Sequence, residues 1–183
     1  MTKTVTPKSI ADWRKWLEKN HLKESRVILI KYKKHTGKPF LPVHEVMREA
    51  ICFGWIDTTA KGIDDEKYLI NYVRRNQNSR WSDNTLRYGK ELIKEGKMSL
   101  FGLKMYKEGL GKKTHDHGIP KNPDMPLALK KELDKNLDAK KSFDKISPSM
   151  KRMYYRFILR AKREETVSKR VSNIIKMCEK KNS

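Results

Sequence analysis

The fold of this chain is decided by a switch from helix to strand within residues 50–59, AICFGWIDTT. Before the switch, apolar residues recur at the spacing of an amphipathic helix that begins at Pro42. Gly54 is typical of a helix end, and the aromatic and β-branched residues from Trp55 to Thr59 favour a strand. Because a helix passes directly into a strand, we predict an α+β fold.

The neighbouring segments predict a small sheet with helices packed on it. Ser9 is a candidate N-cap for a helix over residues 8–20, and Ser82 starts a helix over 82–95 that stops at Gly96. The other predicted elements are strands at 27–32, 55–59 and 68–73 and a shorter helix at 99–108. We therefore expect a mostly antiparallel sheet of about three strands in an α+β module at residues 1–108.

The composition changes in residues 109–125, which are predicted to be a polar linker because they are rich in Gly, Lys, His, Asp, Asn and Pro. Within them, His115-Asp116-His117 could ligate a metal ion, but a solvated loop is the simpler interpretation. Residues 126–183 are predicted to form a C-terminal helical module. The helices predicted there run from Asp124 through Leu137, from Ser147-Pro148 to Ala161, and onward from a break at Glu164-Glu165-Thr166.

The composition is that of a folded and polar protein. Apolar residues make up 37% of the 183 residues and charged residues 36%, and four Trp, seven Tyr and five Phe exceed what a disordered chain usually carries. No apolar run approaches the ~18 residues that span a bilayer, and no hydrophobic stretch behind the N-terminus suggests a secretory signal. Cys52 and Cys178 lack metal or redox spacing, which favours buried thiols. We therefore expect a cytoplasmic protein without a cofactor.

The net charge of +21 leaves the class of partner open. Lys and Arg number 43 against 22 Asp and Glu, which predicts affinity for polyanions such as nucleic acid. The positive residues are nevertheless spread along the chain. Six of them lie on the polar side of the helix predicted after Pro148, which could meet an anionic membrane surface or an acidic partner, or could be a solvated face opposite its apolar stripe. These six are Lys151, Arg152, Arg156, Arg160, Lys162 and Arg163, and the stripe includes Tyr154, Phe157 and Ile158.

The candidate site combines Trp55 and Asp57 with Arg74, Arg75 and Trp81. A carboxylate beside a tryptophan on a hydrophobic strand is costly to bury unless a positive or hydrogen-bonding group meets it. Arg75, or alternatively Arg74, could bind that carboxylate through two parallel hydrogen bonds. The pair would then be a structural clamp, or the arginine would bind an anionic ligand that Asp57 orients, or Asp57 would act in catalysis. Trp55 and Trp81 are either core aromatics or a stacking platform.

Ser79, Ser82 and Asn84 complete the candidate set. Ser79 and Ser82 are most simply a turn residue and the N-cap of the helix at 82–95. The same helix N-terminus, with two arginines nearby, could bind a phosphate or a carboxylate. No Gly-rich phosphate loop, HExxH, GxSxG or recognisable pair of catalytic carboxylates is present in the sequence, so no enzyme class is indicated.

Two groups of motifs resemble the YdeI/OmpD-associated (OmdA) family, often labelled bacteriocin-protection proteins. In the front half the resemblance is carried by Trp13-Arg14-Lys15-Trp16-Leu17, by residues 49–57 and by Ser79-Arg80-Trp81-Ser82 with Asn84. In the back half it is carried by Phe143, Ser147-Pro148-Ser149, Tyr154, Ala161-Lys162-Arg163 and Glu165-Thr166. It covers roughly residues 10–108 and 124–178.

The resemblance implies an α+β front module, a helical back module and an association with tolerance of antimicrobial peptides or envelope stress. The family has no agreed biochemical activity. We therefore expect a non-enzymatic stress or bacteriocin-tolerance protein that binds a small anionic ligand or a protein partner at the Trp55, Asp57, Arg75 and Trp81 site. The alternatives are a nucleic-acid-binding module and an uncharacterised enzyme that uses Asp57 as its acid or base.

Overall fold

The computed structural model describes residues 2–179 as two compact units that divide between Thr114 and His115. The front unit mixes helices and strands, which confirms the predicted α+β class. In chain order its elements are β1 (Lys3–Val5), α1 (Ile10–Asn20), β2 (Arg26–Tyr32), a 3₁₀ turn (Lys34–Thr36), α2 (Val43–Cys52), β3 (Trp55–Gly62), β4 (Lys67–Arg74), α3 (Asp83–Lys94) and α4 (Leu100–Leu110).

The sheet has four strands, in the order β1-β2-β4-β3, and not about three. The additional strand is β1, which pairs in parallel with β2 and places Thr4 opposite Ile28. The other two pairings are antiparallel, so the expectation of a mostly antiparallel sheet is confirmed. The sequence did not reveal β1 because three residues are too few to show an alternation of apolar and polar positions.

One face of the sheet forms the core of the front unit. Val27 and Leu29 of β2 point into this core, and the antiparallel register sets them opposite Tyr72 and Ile70 of β4. Trp13 of α1 packs on Tyr72, with ring centroids 5.4 Å apart. All five side chains are at most 4% exposed. Each buried aliphatic side chain contributes about 1.5–3 kcal/mol of hydrophobic stabilisation, so this face holds the strands and α1 together.

Two helices of the front unit begin at capping residues, and one of them ends at a glycine. The Ser9 hydroxyl accepts the backbone N–H of Asp12, and the Asp12 carboxylate accepts the backbone N–H of Ser9, which completes a capping box at α1. Ser82 caps α3 in the same manner. Gly96, just beyond α3, adopts a φ of 67°, the left-handed conformation that favours glycine after a helix. The predicted caps at Ser9 and Ser82 and the predicted stop at Gly96 are confirmed.

The second unit is helical within the described residues. It contains α5 (Leu127–Lys135), α6 (Leu137–Asp144), α7 (Pro148–Leu159) and α8 (Glu164–Glu179). Its own core includes Leu129, Phe143, Ile158 and Ile174. No helix within residues 2–179 combines the length and the apolarity required to cross a membrane.

Two of the predicted helix boundaries in this unit are wrong. The helix expected from Asp124 through Leu137 begins only after Pro126, and it is interrupted at Asn136. The Asn136 side chain accepts the backbone N–H of Ala139 at 3.0 Å and so caps α6 as a separate helix. The break expected at residues 164–166 lies at 160–163 instead, because Glu164 and Glu165 form the first turn of α8, where their charge complements the helix dipole.

Residues 111–126 contain no helix or strand, yet one carboxylate within them is buried. The Asp116 side chain is 8% exposed and forms ion pairs with Arg156 and Arg160 of α7, the second at 2.6 Å. The hydrogen bond from Arg160 holds the pKa of Asp116 below its usual value and keeps the carboxylate ionised. The expectation of a solvated loop is therefore wrong at Asp116, and two of the six basic residues predicted on the polar side of α7 are internally paired.

Candidate functional site

The candidate site is assembled where β3 begins and β4 ends. The backbone N–H of Arg75 donates to the carbonyl of Gly54 at 2.8 Å, which joins the first residue after β4 to the residue before β3. Gly54 adopts a φ of 69°, and a Cβ there would lie 2.7 Å from the ring of Phe101 on α4. Only glycine therefore makes this turn without displacing α4. The helix-to-strand switch thus positions the start of the Arg75 side chain.

Arg75 carries a charge into the interior of the front unit. The residue is 2% exposed, and its guanidinium carbon lies 3.7 Å from the centre of the Trp81 ring. Nη1 donates to the carbonyl of Arg80 at 3.0 Å, whereas Nε and Nη2 have no hydrogen-bond partner among residues 2–179. Nε and Nη2 lie along one edge of the guanidinium. This edge can donate two parallel hydrogen bonds to a carboxylate or a phosphate.

The electrostatics of Arg75 favour an anionic partner. Burial lowers its pKa from 12.5 to about 9, and the negative charge of Asp57 opposes part of this effect. Arg75 therefore stays protonated at neutral pH. Stacking on Trp81 is worth about 2 kcal/mol, while each buried donor without a partner costs about 1–3 kcal/mol. An anion that accepts from both Nε and Nη2 would remove this cost.

Trp81 is held in place by two residues of α4. Its indole is 2% exposed, and the Tyr106 ring meets it edge-on with centroids 5.8 Å apart. Gly109 approaches so closely that a Cβ there would lie 2.3 Å from Nε1 of the indole. Of the two interpretations of Trp81, the core position is the one observed, and its stacking partner is Arg75 of the same chain. The platform beneath the guanidinium is therefore rigid.

Asp57 does not form the predicted ion pair with Arg75. Its side chain is exposed, and it lies on β3 opposite Tyr72 of β4. A β-bulge between Asp57 and Thr59 increases the local twist of β3 and changes where its side chains point. The expectation of a buried carboxylate is therefore wrong, because β3 leaves the covered part of the sheet at this residue. Asp57 acts only at longer range, where it opposes the lowering of the Arg75 pKa and, after burial, raises the pKa of Tyr72.

Trp55 and Arg74 make contacts of their own and do not line the Arg75 edge. Trp55 is fully buried, and its indole N–H donates to the carbonyl of His21 at 3.2 Å. Arg74 donates to the carbonyl of Leu22. Both residues thus tie the end of the sheet to the segment after α1. The structure places Trp55 in the core and uses Arg74 as an anchor.

The polar residues Ser79, Ser82 and Asn84 are engaged locally. Ser79 accepts the backbone N–H of Asn76 at 3.0 Å in a tight turn, and Ser82 caps α3. The side-chain oxygen of Asn84 accepts from Arg87 at 2.8 Å. An anion at the N-terminus of α3 would have to displace the Ser82 cap. Arg75 and Trp81 are therefore the predicted residues that the structure brings into direct contact, and the other six lie around them.

Sequence reasoning did not single out Lys31, although the strand predicted at residues 27–32 contains it. β2 continues through Tyr32, and the alternation of Val27, Leu29 and Lys31 puts the lysine on the core face. The residue is 1% exposed, and its Nζ has no hydrogen-bond partner in the described part of the chain. The signal that could have revealed it is the period of two along β2, which continues past the last apolar residue.

The site chemistry of the described residues does not extend to metals or thiolates. No three His, Cys, Asp or Glu residues among positions 2–179 are grouped so as to hold a metal ion. Cys52 and Cys178 are both buried, as predicted. Burial raises the pKa of the Cys52 thiol to about 11, which keeps it protonated and unreactive at neutral pH.

Comparison with known families gives two matches along the chain. Residues 5–105 match the family described as "Domain of unknown function (DUF8412)", and residues 122–181 match the one described as "Bacteriocin-protection, YdeI or OmpD-Associated". No curated protein and no solved structure matches the chain. The second match confirms the resemblance to the OmdA family, while most of the front-half motifs quoted for it fall within the first match. Because that first match spans more than half of the 183 residues, the chain belongs to the family of the domain of unknown function (DUF8412), and its residues 122–181 are similar to the YdeI or OmpD-associated family.

Proposed function

We propose that this chain is a non-enzymatic bacteriocin-tolerance protein whose front unit binds a small anion at Arg75. The match of residues 122–181 to the bacteriocin-protection family supports the first part of the proposal. One observation carries the second part. The guanidinium of Arg75 is buried while two of its three nitrogens have no hydrogen-bond partner within residues 2–179.

The shape of the donor edge selects the class of ligand. Nε and Nη2 of Arg75 donate in parallel, which complements the two oxygens of a carboxylate or a phosphate. The bond from Nη1 to the Arg80 carbonyl and the stack on Trp81 fix the plane of the guanidinium in advance. A preorganised donor loses little conformational entropy on binding. A single-atom anion such as chloride cannot satisfy both nitrogens equally well and serves as the control ligand.

Access to Arg75 runs through the loop at residues 76–80. Asn76, Gln77 and Asn78 are exposed in this loop, whereas Arg75 beneath it is buried. Lys112 donates to the carbonyl of Gln77 and tethers the loop to the segment after α4. The ligand is therefore small, and its binding displaces the loop. Because the loop leads directly into Trp81, we expect binding to change the fluorescence of that indole.

A substitution at Asp57 tests the same site independently. The Asp57 carboxylate is close enough to influence the pKa of Arg75 but makes no hydrogen bond to it. A negative charge near the site repels an arriving anion, and about 1 kcal/mol of such repulsion corresponds to about a fivefold change in affinity. Asp57→Asn is therefore expected to tighten anion binding about fivefold. An enzyme that used Asp57 as its acid or base would instead lose activity in this variant.

The experiment is a titration of the full chain with acetate and with inorganic phosphate, at constant ionic strength set with chloride. Tryptophan fluorescence is the readout, and Trp81→Phe identifies the part of the signal that comes from Trp81. Arg75→Gln is expected to abolish the saturable response. Arg80→Gln removes the same charge from an exposed position of the loop and is expected to retain the response.

The outcomes distinguish specific anion binding at Arg75 from nonspecific attraction to positive charge and from unfolding of the variant. Equal losses in Arg75→Gln and Arg80→Gln, or an equal response to chloride, would overturn the proposal. Where Arg75→Gln fails to fold, as judged by circular dichroism, the Asp57→Asn variant decides instead. Unchanged or weaker anion binding by a folded Asp57→Asn protein would also count against the site.

A further inference from the structure

A second buried cation, Lys31, lies at the opposite end of β4 from Arg75. Lys31 is opposite Tyr68 near the start of β4, and Arg75 follows the last residue of that strand. At about 3.4 Å per residue the two sites are about 24 Å apart. Lys31 is therefore independent of the proposed anion site.

The amine of Lys31 sits between two aromatic rings. Nζ lies 5.5 Å from the centre of the Tyr68 ring and 5.8 Å from the centre of the Phe40 ring. The residue is 1% exposed, and no hydrogen-bond partner for Nζ exists within the described chain. Lysines so deeply buried normally have a carboxylate partner. Here the walls are aromatic, and the charged form of the amine is stabilised by the rings alone.

Phe40 is the solvent-exposed ring of the two that lie near this amine. It is 41% exposed and belongs to residues 37–42, which have no helix or strand. Gly37 begins this segment in the left-handed conformation, with a φ of 66°. A single ring on a segment of this kind can move aside at low cost, because few backbone hydrogen bonds hold it. Phe40 is thus a movable part of the covering that keeps water from the amine.

Burial of Lys31 disfavours the charged form of its amine relative to the same amine in water. Burial lowers its pKa from 10.5 to about 8, so that about one amine in ten is neutral at pH 7. A desolvated neutral lysine is a nucleophile toward carbonyl compounds. An anion is a poor fit here, because, of the two rings, only Tyr68 carries a hydrogen-bond donor, its hydroxyl. The uncharged adduct of a neutral amine and a carbonyl compound can pack against the two aromatic rings.

We propose that Lys31 is a binding site for small aromatic aldehydes, which it captures as a Schiff base. The nitrogen lone pair attacks the carbonyl carbon, and the C=O bond electrons move to the oxygen. The nitrogen then loses its two protons, the oxygen leaves as water, and a C=N bond joins Lys31 to the ligand. The step needs no oxidant or reductant and is reversed by hydrolysis. Tyr68 and Phe40 supply the faces on which the aromatic ring of the aldehyde packs.

The experiment uses benzaldehyde as the probe, with sodium cyanoborohydride to reduce the C=N bond to a stable amine. Peptide mass spectrometry of the full chain then measures the rate of benzylation at each lysine at pH 7. Lys34, which is exposed and close in sequence, is the matched control. We expect Lys31 to react at least about tenfold faster than Lys34, because burial lowers the pKa of Lys31 and so enlarges its neutral fraction. We also expect its rate to saturate with benzaldehyde and to fall when unreactive benzyl alcohol is added.

Two variants make the result decisive. Lys31→Arg is expected to lose the fast, saturable reaction while the other lysines react as before. Phe40→Ala removes one wall and is expected to raise the benzaldehyde concentration needed for half-saturation. The proposal is overturned if Lys31 in the unaltered chain reacts no faster than Lys34, or if its rate rises linearly with benzaldehyde and ignores benzyl alcohol. Reaction of Lys31 only in Phe40→Ala would overturn it as well, because Phe40 would then seal the amine off.

Discussion

Replacing Lys31 by methionine is expected to stabilise the protein at neutral pH. Methionine has a similar length and reach but carries no charge into the core face of β2. The interval between the ordinary pKa of 10.5 and the buried pKa of about 8 corresponds to about 3 kcal/mol, at ~1.4 kcal/mol per pKa unit. Loss of the two cation–π contacts offsets about 1 kcal/mol of that gain. We therefore expect Lys31→Met to be about 2 kcal/mol more stable at pH 7.

The stability difference between Lys31→Met and the original protein is expected to change with pH in one direction. Below pH 8 the amine is protonated in both the folded and the unfolded protein, so the full cost of burying the charge is present. Between pH 8 and pH 10.5 the unfolded chain binds the proton and the folded chain does not, so the original protein gains stability as pH rises. The advantage of Lys31→Met should shrink across this interval and level off above it.

The assay is urea unfolding of both proteins at several pH values from 7 to 10.5, with each free energy of unfolding obtained from the midpoint and the slope. Taking the difference between the proteins cancels the titration of the other lysines. Lys34→Met, at an exposed position, should show no comparable difference. A gap between Lys31→Met and the original protein that stays constant across this interval, or a destabilised variant at every pH, would refute the argument that the amine is held without water or a partner.

Three further predictions concern other parts of the chain. Gly109→Ala should lower the free energy of unfolding by about 1–3 kcal/mol because its Cβ would strike the Trp81 indole, whereas Gly111→Ala, with its nearest neighbour 3.9 Å away, should be nearly neutral in the same urea assay. Asp116→Asn should cost about 2 kcal/mol at pH 7 by leaving two arginines unpaired. Because the pKa of Asp116 in the folded protein lies below its ordinary value of 3.8, calorimetry should show this cost beginning to shrink near pH 3.8 and disappearing only once the pH has fallen through that lowered pKa. DNA binding, measured by fluorescence anisotropy, should fall steeply with salt and be absent near physiological ionic strength, and tight binding there would favour the nucleic-acid alternative.

The helix ends and the switch from α2 to β3 were predictable because their causes are local. Ser9 and Ser82 bond to backbone groups three residues away, and Gly54 and Gly96 are needed for their own backbone conformation. The strands β2, β3 and β4 were predictable from their composition and from the apolar pattern along them. The break between α5 and α6 was missed because the cap at Asn136 interrupts a continuous apolar pattern.

The candidate site was predictable in its location and not in its contacts. The sequence indicated that Asp57 and Arg75 lie in neighbouring segments, and the bond from Arg75 to Gly54 agrees with that. Their side chains nevertheless differ in burial, since Asp57 is exposed and Arg75 packs on Trp81. An alternating pattern identifies which residues of a strand share a face, but it does not reveal how far along the strand the helices cover that face.

By itself the sequence determined most of the secondary structure, the α+β class and the family match of the helical part, because each depends on residues close together in the chain. Only the tertiary structure decided which charges are buried and which are paired. Asp116 meets Arg156 from 40 positions away, Lys31 lies close to the rings of Tyr68 and Phe40, and Arg75 packs on Trp81. The free energy of a charged side chain depends on every group that excludes water from it, and those groups come from all parts of the fold.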